Sequence, residues 1–434
     1  MPQYNTASDF LIAVQNEIKW RRAKNIATQE IADHITDQCD TLREHGMSEA
    51  EALEKTLSDL GDAQEIGKRL NSLHRPKTNW LLIGFTLVLL CAGAAVSVFV
   101  SNSEPLQLLI SIIAGLVAMS VLYWVDYTIL IRYPKTLYFI LLFITIGVLI
   151  YDMRNGLGLL AYNYCFYPLL LFPLLHICIA FQLKTNHRES GLLLLVVFFI
   201  PPLFIAFLIS SVPAIIYLFI SDAFLVGCAI KNRWFVTKRI SIIGILACVA
   251  VMVIGLSFIN MWTDMWHNFL NNQGSYLSAN ARELIKSAPF LGQSHSYSSA
   301  DLFSGTQEYI LLRLILRYGN IVLGIAVIIY GLILYLMYRI VARQTAYIGT
   351  MLSYAVLICF ATQFLLAVIG NLGLINGQYI MPLPFIASGG IYTVFNLVLI
   401  GLMLSVCRYE DIAKDWIKLK NKQAMERNRN EQSA

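Results

Sequence analysis

Charge is scarce in this chain. Only 14% of its 434 residues are Asp, Glu, Lys or Arg, against 57% hydrophobic ones, a balance that excludes a water-soluble globule and describes a polytopic membrane protein. No apolar run precedes Trp80, so no cleavable signal peptide is expected at the front. Cysteine supplies no framework. Cys91, Cys178, Cys228, Cys248, Cys359 and Cys407 lie in apolar runs and Cys39 in the polar front, which leaves Cys165 alone in a candidate outer loop. His267 and His295 have no companions at metal-ligand spacing, so no metal site is expected. No nucleic-acid partner is expected either.

What the sequence has is apolar length. Ten segments approach the ~20 residues a spanning helix needs, near 80–100, 106–125, 136–150, 166–182, 192–210, 212–230, 240–259, 310–337, 347–370 and 386–407. The expected fold class is all-α, with about ten transmembrane helices. Basic residues in alternate short loops set the orientation. Arg132, Lys135, Lys184, Arg188, Lys231, Arg233, Lys238, Arg239, Arg339 and Arg343 share one side, and only Arg154, Arg282 and Lys286 stand on the other. Both termini are therefore expected in the cytoplasm of a cell (plasma) membrane protein, with a large external loop over 260–307. Trp262, Trp266, Tyr276 and Tyr297 in that loop suit a membrane interface or a polar ligand.

Residues 1–76 read as a separate cytoplasmic helical bundle. Ile31, Ile35 and Leu42, then Ala50, Leu53, Leu57 and Leu60, then Ile66, Leu70 and Leu73 recur at helical spacing. Gly46 closes one helix, Ser48 with Glu51 forms a capping box for the next, and Asp62 caps the last. Gly46-Met47-Ser48-Glu49-Ala50-Glu51 and Leu60-Gly61-Asp62 resemble the permease prefix domain found ahead of various bacterial membrane proteins. Residues 77–407 form the membrane domain. The basic tail, 408–434, with Ile412, Trp416, Ile417 and Leu419 among lysines, reads as an amphipathic helix on anionic membrane lipids.

Three features between Glu308 and Asn396 exceed apolar filler. Glu308 precedes a long apolar helix; Arg313 and Arg317 lie inside that helix; and Pro382-Leu383-Pro384-Phe385 is followed by Gly389-Gly390. An Arg in an apolar helix costs ~2.5–3.5 kcal/mol on insertion scales, so both need a cavity or a partner. Asp222, in the sixth segment, is the expected partner of Arg313. A carboxylate before a helix can also act only as its cap.

Pro382 to Tyr392 reads PLPFIASGGIY, with Asn396 six residues after Gly390. This resembles the SEDS family (shape, elongation, division and sporulation), the FtsW/RodA-like proteins that polymerise peptidoglycan glycan strands and typically read PLPFISYGGSS with an Asn at that spacing. Ala387, Ile391 and Tyr392 stand where the family has serines. Counting back eleven residues from Gly319 reaches Glu308, the place of the family's catalytic acid, an Asp, with Tyr309 in place of Phe. Thr306 and Gln307 replace its His-Thr, and Leu316 and Arg317 its Glu-Glu. The resemblance runs weakly to the front: Asn155-Gly156 and Phe166-Tyr167-Pro168 match family positions, whereas Leu169 and Leu170 replace a Ser-Glu.

The resemblance implies a divergent lipid II polymerase, taking lipid II or a related undecaprenyl-linked sugar and working with a class B penicillin-binding transpeptidase. Glu308 would be the general base that takes the acceptor hydroxyl's proton. Arg313 and Arg317, four apart on one helix face, or a divalent cation would stabilise the leaving pyrophosphate. Pro382, Pro384, Ser388, Gly389, Gly390 and Asn396 would line the substrate site. Two other readings stand beside this one. The lost hydroxyls and acids suit a degraded scaffold or regulator of cell-wall synthesis, and intramembrane Arg and Asp suit a transporter of a lipid-linked substrate.

Overall fold

The structure is a computed structural model, and it describes residues 6–73, 78–100, 105–154, 161–186, 190–209, 212–235, 276–295, 308–344, 346–375, 381–386 and 390–409. Regular structure among them is helical throughout. Two compact units are formed, Met1–Thr78 with Arg408–Ala434, and Asn79–Cys407.

The first unit holds α1 (Ala7–Glu17), α2 (Arg21–Glu44), α3 (Glu49–Leu60) and α4 (Ala63–Leu73). Of these, α1 and α3 start where a side chain takes a free backbone N–H group. The Thr6 hydroxyl accepts from Asp9 N at 3.1 Å. The Ser48 hydroxyl accepts from Glu51 N while the Glu51 carboxylate accepts from Ser48 N, a reciprocal capping box. Phe10, Val14, Ile18, Ala27, Ile35, Leu57 and Ala63 meet in its core. The basic tail beyond Tyr409 lies outside the described residues.

The second unit runs through α5 (Trp80–Phe99), α6 (Pro105–Trp124), α7 (Thr128–Arg132), α8 (Pro134–Arg154), α9 (Ala161–Asn186), α10 (Gly191–Leu208), α11 (Val212–Lys231), α12 (Tyr276–Ser287), α13 (Ile310–Tyr318), α14 (Ile321–Arg343), α15 (Tyr347–Asn371) and α16 (Ile391–Arg408). Among the described residues nine helices are long and apolar enough to cross a membrane: α5, α6, α8, α9, α10, α11, α14, α15 and α16. The hub is α9, which packs against α7, α8, α10, α11 and α15 and is mostly buried, whereas α6 and α8 leave most of their apolar surface exposed. Pro168 and Pro173 sit inside α9. Such prolines are tolerated in a membrane because neighbouring helices re-satisfy the freed backbone groups. Here Tyr217 of α11 donates to the Leu170 carbonyl at 3.0 Å, beside the Leu169 carbonyl that Pro173 leaves without its helical donor.

Three expectations change. The segment over 310–337 is two helices, because Gly319 adopts φ +98 and a Cβ there would stand 2.6 Å from the Phe290 carbonyl oxygen. Only α14 is long enough to span, so Glu308 precedes a nine-residue helix and not a membrane-crossing one. The last span begins at Ile391 rather than 386, the Pro382–Ile386 stretch being loop. Within the expected outer loop α12 folds back, its Ala281 joining Tyr309, Leu312 and Leu316 of the α13 region in a small core. The expected segment 240–259 lies outside the described residues.

Candidate active site

The short helix α13 is positioned by one buried side chain. Asn371, the last residue of α15, is fully buried. Its Oδ1 accepts from Leu312 N at 2.9 Å, and its Nδ2 donates to the Glu308 carbonyl and to the Ala367 carbonyl, both at 2.8 Å. Asn371 therefore caps the start of α13 from another helix, in place of the local Ser or Asp that usually does so. It stays in place because α15 ends in a Schellman turn, with Leu374 N donating to the Ile369 carbonyl and Gly373 N to the Gly370 carbonyl.

The Glu308 side chain lies half-buried at that helix start. Tyr392, in the first turn of α16, donates its hydroxyl to Glu308 Oε1 at 3.3 Å. Behind it the Tyr167 ring of α9 stands 5.1 Å from Tyr392 and 5.2 Å from Phe395, forming an aromatic wall. Burial pushes the Glu308 carboxyl above the usual carboxylate range, and hydrogen bonds from its own backbone and from Tyr392 pull it part of the way back. A carboxylate whose proton affinity is raised in this way is the better suited to act as a base.

Arg313 and Arg317 both reach the C-terminal end of α5. Arg313 is buried, at 6% exposure, and its Nη2 donates to the Val100 carbonyl; Arg317 Nη1 donates to the Phe99 carbonyl at 2.8 Å. A helix C-terminus carries unsatisfied carbonyls and the negative end of the macrodipole, so two guanidinium groups are well placed there. The expected Arg313–Asp222 pair is not formed. Asp222 meets His176 of α9, with Nδ1 2.9 Å from Oδ1. That pairing answers the same need, because a carboxylate in an apolar span requires a donor and His176 lies within reach across the α9–α11 seam. Arg317 is only half-buried, which leaves part of its guanidinium facing out.

The proline loop plugs into the bundle. Tyr330 of α14 donates to the Pro384 carbonyl, and the Phe385 ring stacks on Phe360 of α15 at 5.5 Å. Gly93 of α5 admits the Phe385 carbonyl so closely that a Cβ would clash outright. Phe385 holds φ +65 and is spanned by an Ile386 N to Pro384 carbonyl bond of 2.8 Å, a γ-turn of the uncommon hand. Strain of this kind persists only where the surroundings over-determine it. Gly390 follows with φ +67. Ser388 and Gly389 lie outside the described residues. Asn396 is buried, one helical turn beyond Tyr392 on the same face, and among the described residues its Oδ1 has no hydrogen-bond donor.

The structure thus brings Glu308 together with Tyr392, a position where a large side chain stands in place of the motif's serine. It also adds Asn371 and Tyr167. An Asn at the end of an apolar helix, just before Leu372-Gly373, was a visible signal, but its partners were not. Among the described residues no three His, Cys, Asp or Glu side chains cluster to hold a metal ion.

The family model for the FtsW/RodA/SpoVE cell cycle proteins matches residues 168–412. A chain from a structure on the structural coordination of polymerization and crosslinking by a peptidoglycan synthase complex superposes with a TM-score of 0.57 at 14% identity, over 77% of this chain and 98% of that one. The rod shape determining protein RodA of Thermus thermophilus aligns with a TM-score of 0.47 at 14% identity, over 77% of this chain and 97% of its own. No curated protein sequence matches.

Proposed function

The chain belongs to the FtsW/RodA/SpoVE family of cell cycle proteins, and from that premise we propose that this multi-pass membrane protein serves peptidoglycan synthesis by polymerising glycan strands from lipid II. The observation that carries the reading is Glu308, whose backbone carbonyl is held at the start of α13 by Asn371 and whose carboxylate is met by the Tyr392 hydroxyl. Glu308 takes the proton of the acceptor hydroxyl as that oxygen attacks the anomeric carbon. The pyrophosphate leaves with its charge stabilised by the outward part of Arg317, while Arg313 acts as a strut between α13 and the end of α5. Tyr167 and Tyr392 wall the acceptor side, and Pro382, Pro384, Ser388, Gly389, Gly390 and Asn396 line the lipid-linked donor.

In this reading both termini are cytoplasmic, residues 1–76 form a cytoplasmic bundle, and Glu308 lies at the external face. A class B penicillin-binding transpeptidase is the proposed partner, in keeping with the peptidoglycan synthase complex whose chain shares this fold. One observation favours a second reading: both arginines already bind carbonyls of the chain itself, as they would in a scaffold that retains the fold without the reaction. The test is a polymerisation assay with purified protein and fluorescent lipid II, alone and with candidate transpeptidases. Glycan ladders support the enzyme; their absence in both settings supports the scaffold, and uptake into vesicles without ladders supports transport.

A further inference from the structure

The turn between α12 and α13 presents two large apolar side chains that the proposed reaction does not use. Phe290 is 74% exposed and Leu291 71%. The turn is not loosely attached. Asn320 N donates to the Pro289 carbonyl and Ile321 N to the Phe290 carbonyl, at 2.9 and 3.1 Å, while Gly292 N returns a bond to the Tyr318 carbonyl and Ser294 N one to the Leu316 carbonyl. The Asn320 side chain adds a bond to the Ala288 carbonyl at 2.9 Å. A rigidly held pair of exposed apolar side chains marks an interaction surface.

What covers that surface follows from where it is tied. Ile321 is the first residue of the spanning helix α14, and it is directly hydrogen-bonded to Phe290. Arg317, one turn earlier, is bonded to the carbonyl of Phe99, the last residue of the span α5 and itself 73% exposed. The turn therefore sits at the level where two spans leave the membrane. Tyr318, 48% exposed, lies beside the Arg317 guanidinium at 5.6 Å. Amphipathic aromatic rings gather at the headgroup level, and a guanidinium is at home beside lipid phosphates.

We infer that Phe290 and Leu291 form an interfacial wedge that dips into the lipid–water boundary beside α5 and α14, with Arg317 at the level of the lipid phosphates. The wedge fixes the depth of α12 and α13 against the bilayer independently of any reaction at Glu308. Its apolar side chains gain from leaving water, and the Gly292 and Ser294 N–H groups and the Ala288, Pro289 and Phe290 carbonyls are already paired, which lowers the cost of entering the interface.

The test uses the full chain in bilayer nanodiscs, with Phe290→trifluoromethylphenylalanine, a nearly isosteric change read by fluorine magnetic resonance. The same replacement at Phe143, 80% exposed within the span α8, and at Ile12 on α1 supplies lipid and water references. A nitroxide carried on a lipid headgroup should relax the fluorine at 290 several-fold more than at 143, and a water-soluble gadolinium chelate should relax it several-fold less than at 12. Chelate relaxation equal to that at 12 would place the side chain in water and overturn the inference. Protection from both agents would mean that protein covers the turn, which overturns it equally.

Discussion

Replacing Asn371 with Leu should disable the site without touching any reacting group. The two side chains have the same branching and number of heavy atoms, but Leu is bulkier and can neither accept from Leu312 N nor donate to the Glu308 carbonyl, and Asn371 is fully buried. A buried polar group left without its partner costs ~1–3 kcal/mol. Two such groups set a ceiling of ~2–6 kcal/mol, lowered by whatever relaxation brings water to the start of α13. The damage falls where Glu308 is held. A displacement of the carboxylate by ~1 Å is enough to cost on the order of a hundredfold in rate. The assay is paired: thermal melting of the purified full chain, and the rate of glycan-ladder growth from fluorescent lipid II. Asn371→Asp, which keeps the acceptor for Leu312 N, should cost less stability than Asn371→Leu. If Asn371→Leu melted and polymerised like the parent, the clamp would be incidental and the positional argument for Glu308 would fall with it.

Three further outcomes are expected. Because burial raises the Glu308 carboxyl and the Tyr392 hydroxyl opposes that rise, polymerisation should fall as pH drops through the raised value. Tyr392→Phe should move this acid limb to higher pH while leaving the alkaline plateau near the parent's, and an unmoved limb would contradict the contact's role. Arg313→Met should lower the melting temperature, since it leaves the Val100 carbonyl without its donor, whereas Arg317→Met should weaken lipid II binding and barely change melting; the reverse pattern would exchange their roles. A cysteine placed within 276–295 should react with an impermeant maleimide in intact cells and one within 184–190 should not, and labelling only of the second would invert the orientation.

The membrane class and most spans were legible because apolar length is a property of the sequence alone: α5, α6, α10, α11 and α15 fall almost where hydropathy places them. The break at Gly319 was passed over, since the mostly apolar runs Ile310–Leu316 and Ile321–Leu336 on either side of it read as one span, and the approach of Phe290 that requires a left-handed residue there comes only from the fold. Glu308 could be located by its distance from Gly319, but Tyr392 read as a lost serine until the fold placed its hydroxyl on the carboxylate. The need of Arg313 for a partner was visible in its apolar surroundings. The partner proved to be a backbone carbonyl at the end of α5, which side-chain reasoning does not reach. Asp222 similarly pointed to a buried polar partner, and His176, central in the α9 span, was the signal passed over.

The most direct test of the account is Glu308→Gln in the lipid II polymerisation assay. Gln keeps the shape of the side chain and can still meet the Tyr392 hydroxyl, but it cannot take up the acceptor's proton. Glycan ladders should be lost while the melting temperature and lipid II binding stay at the parent's values. Ladders growing at the parent rate would show that the base lies elsewhere and that Glu308 only caps α13.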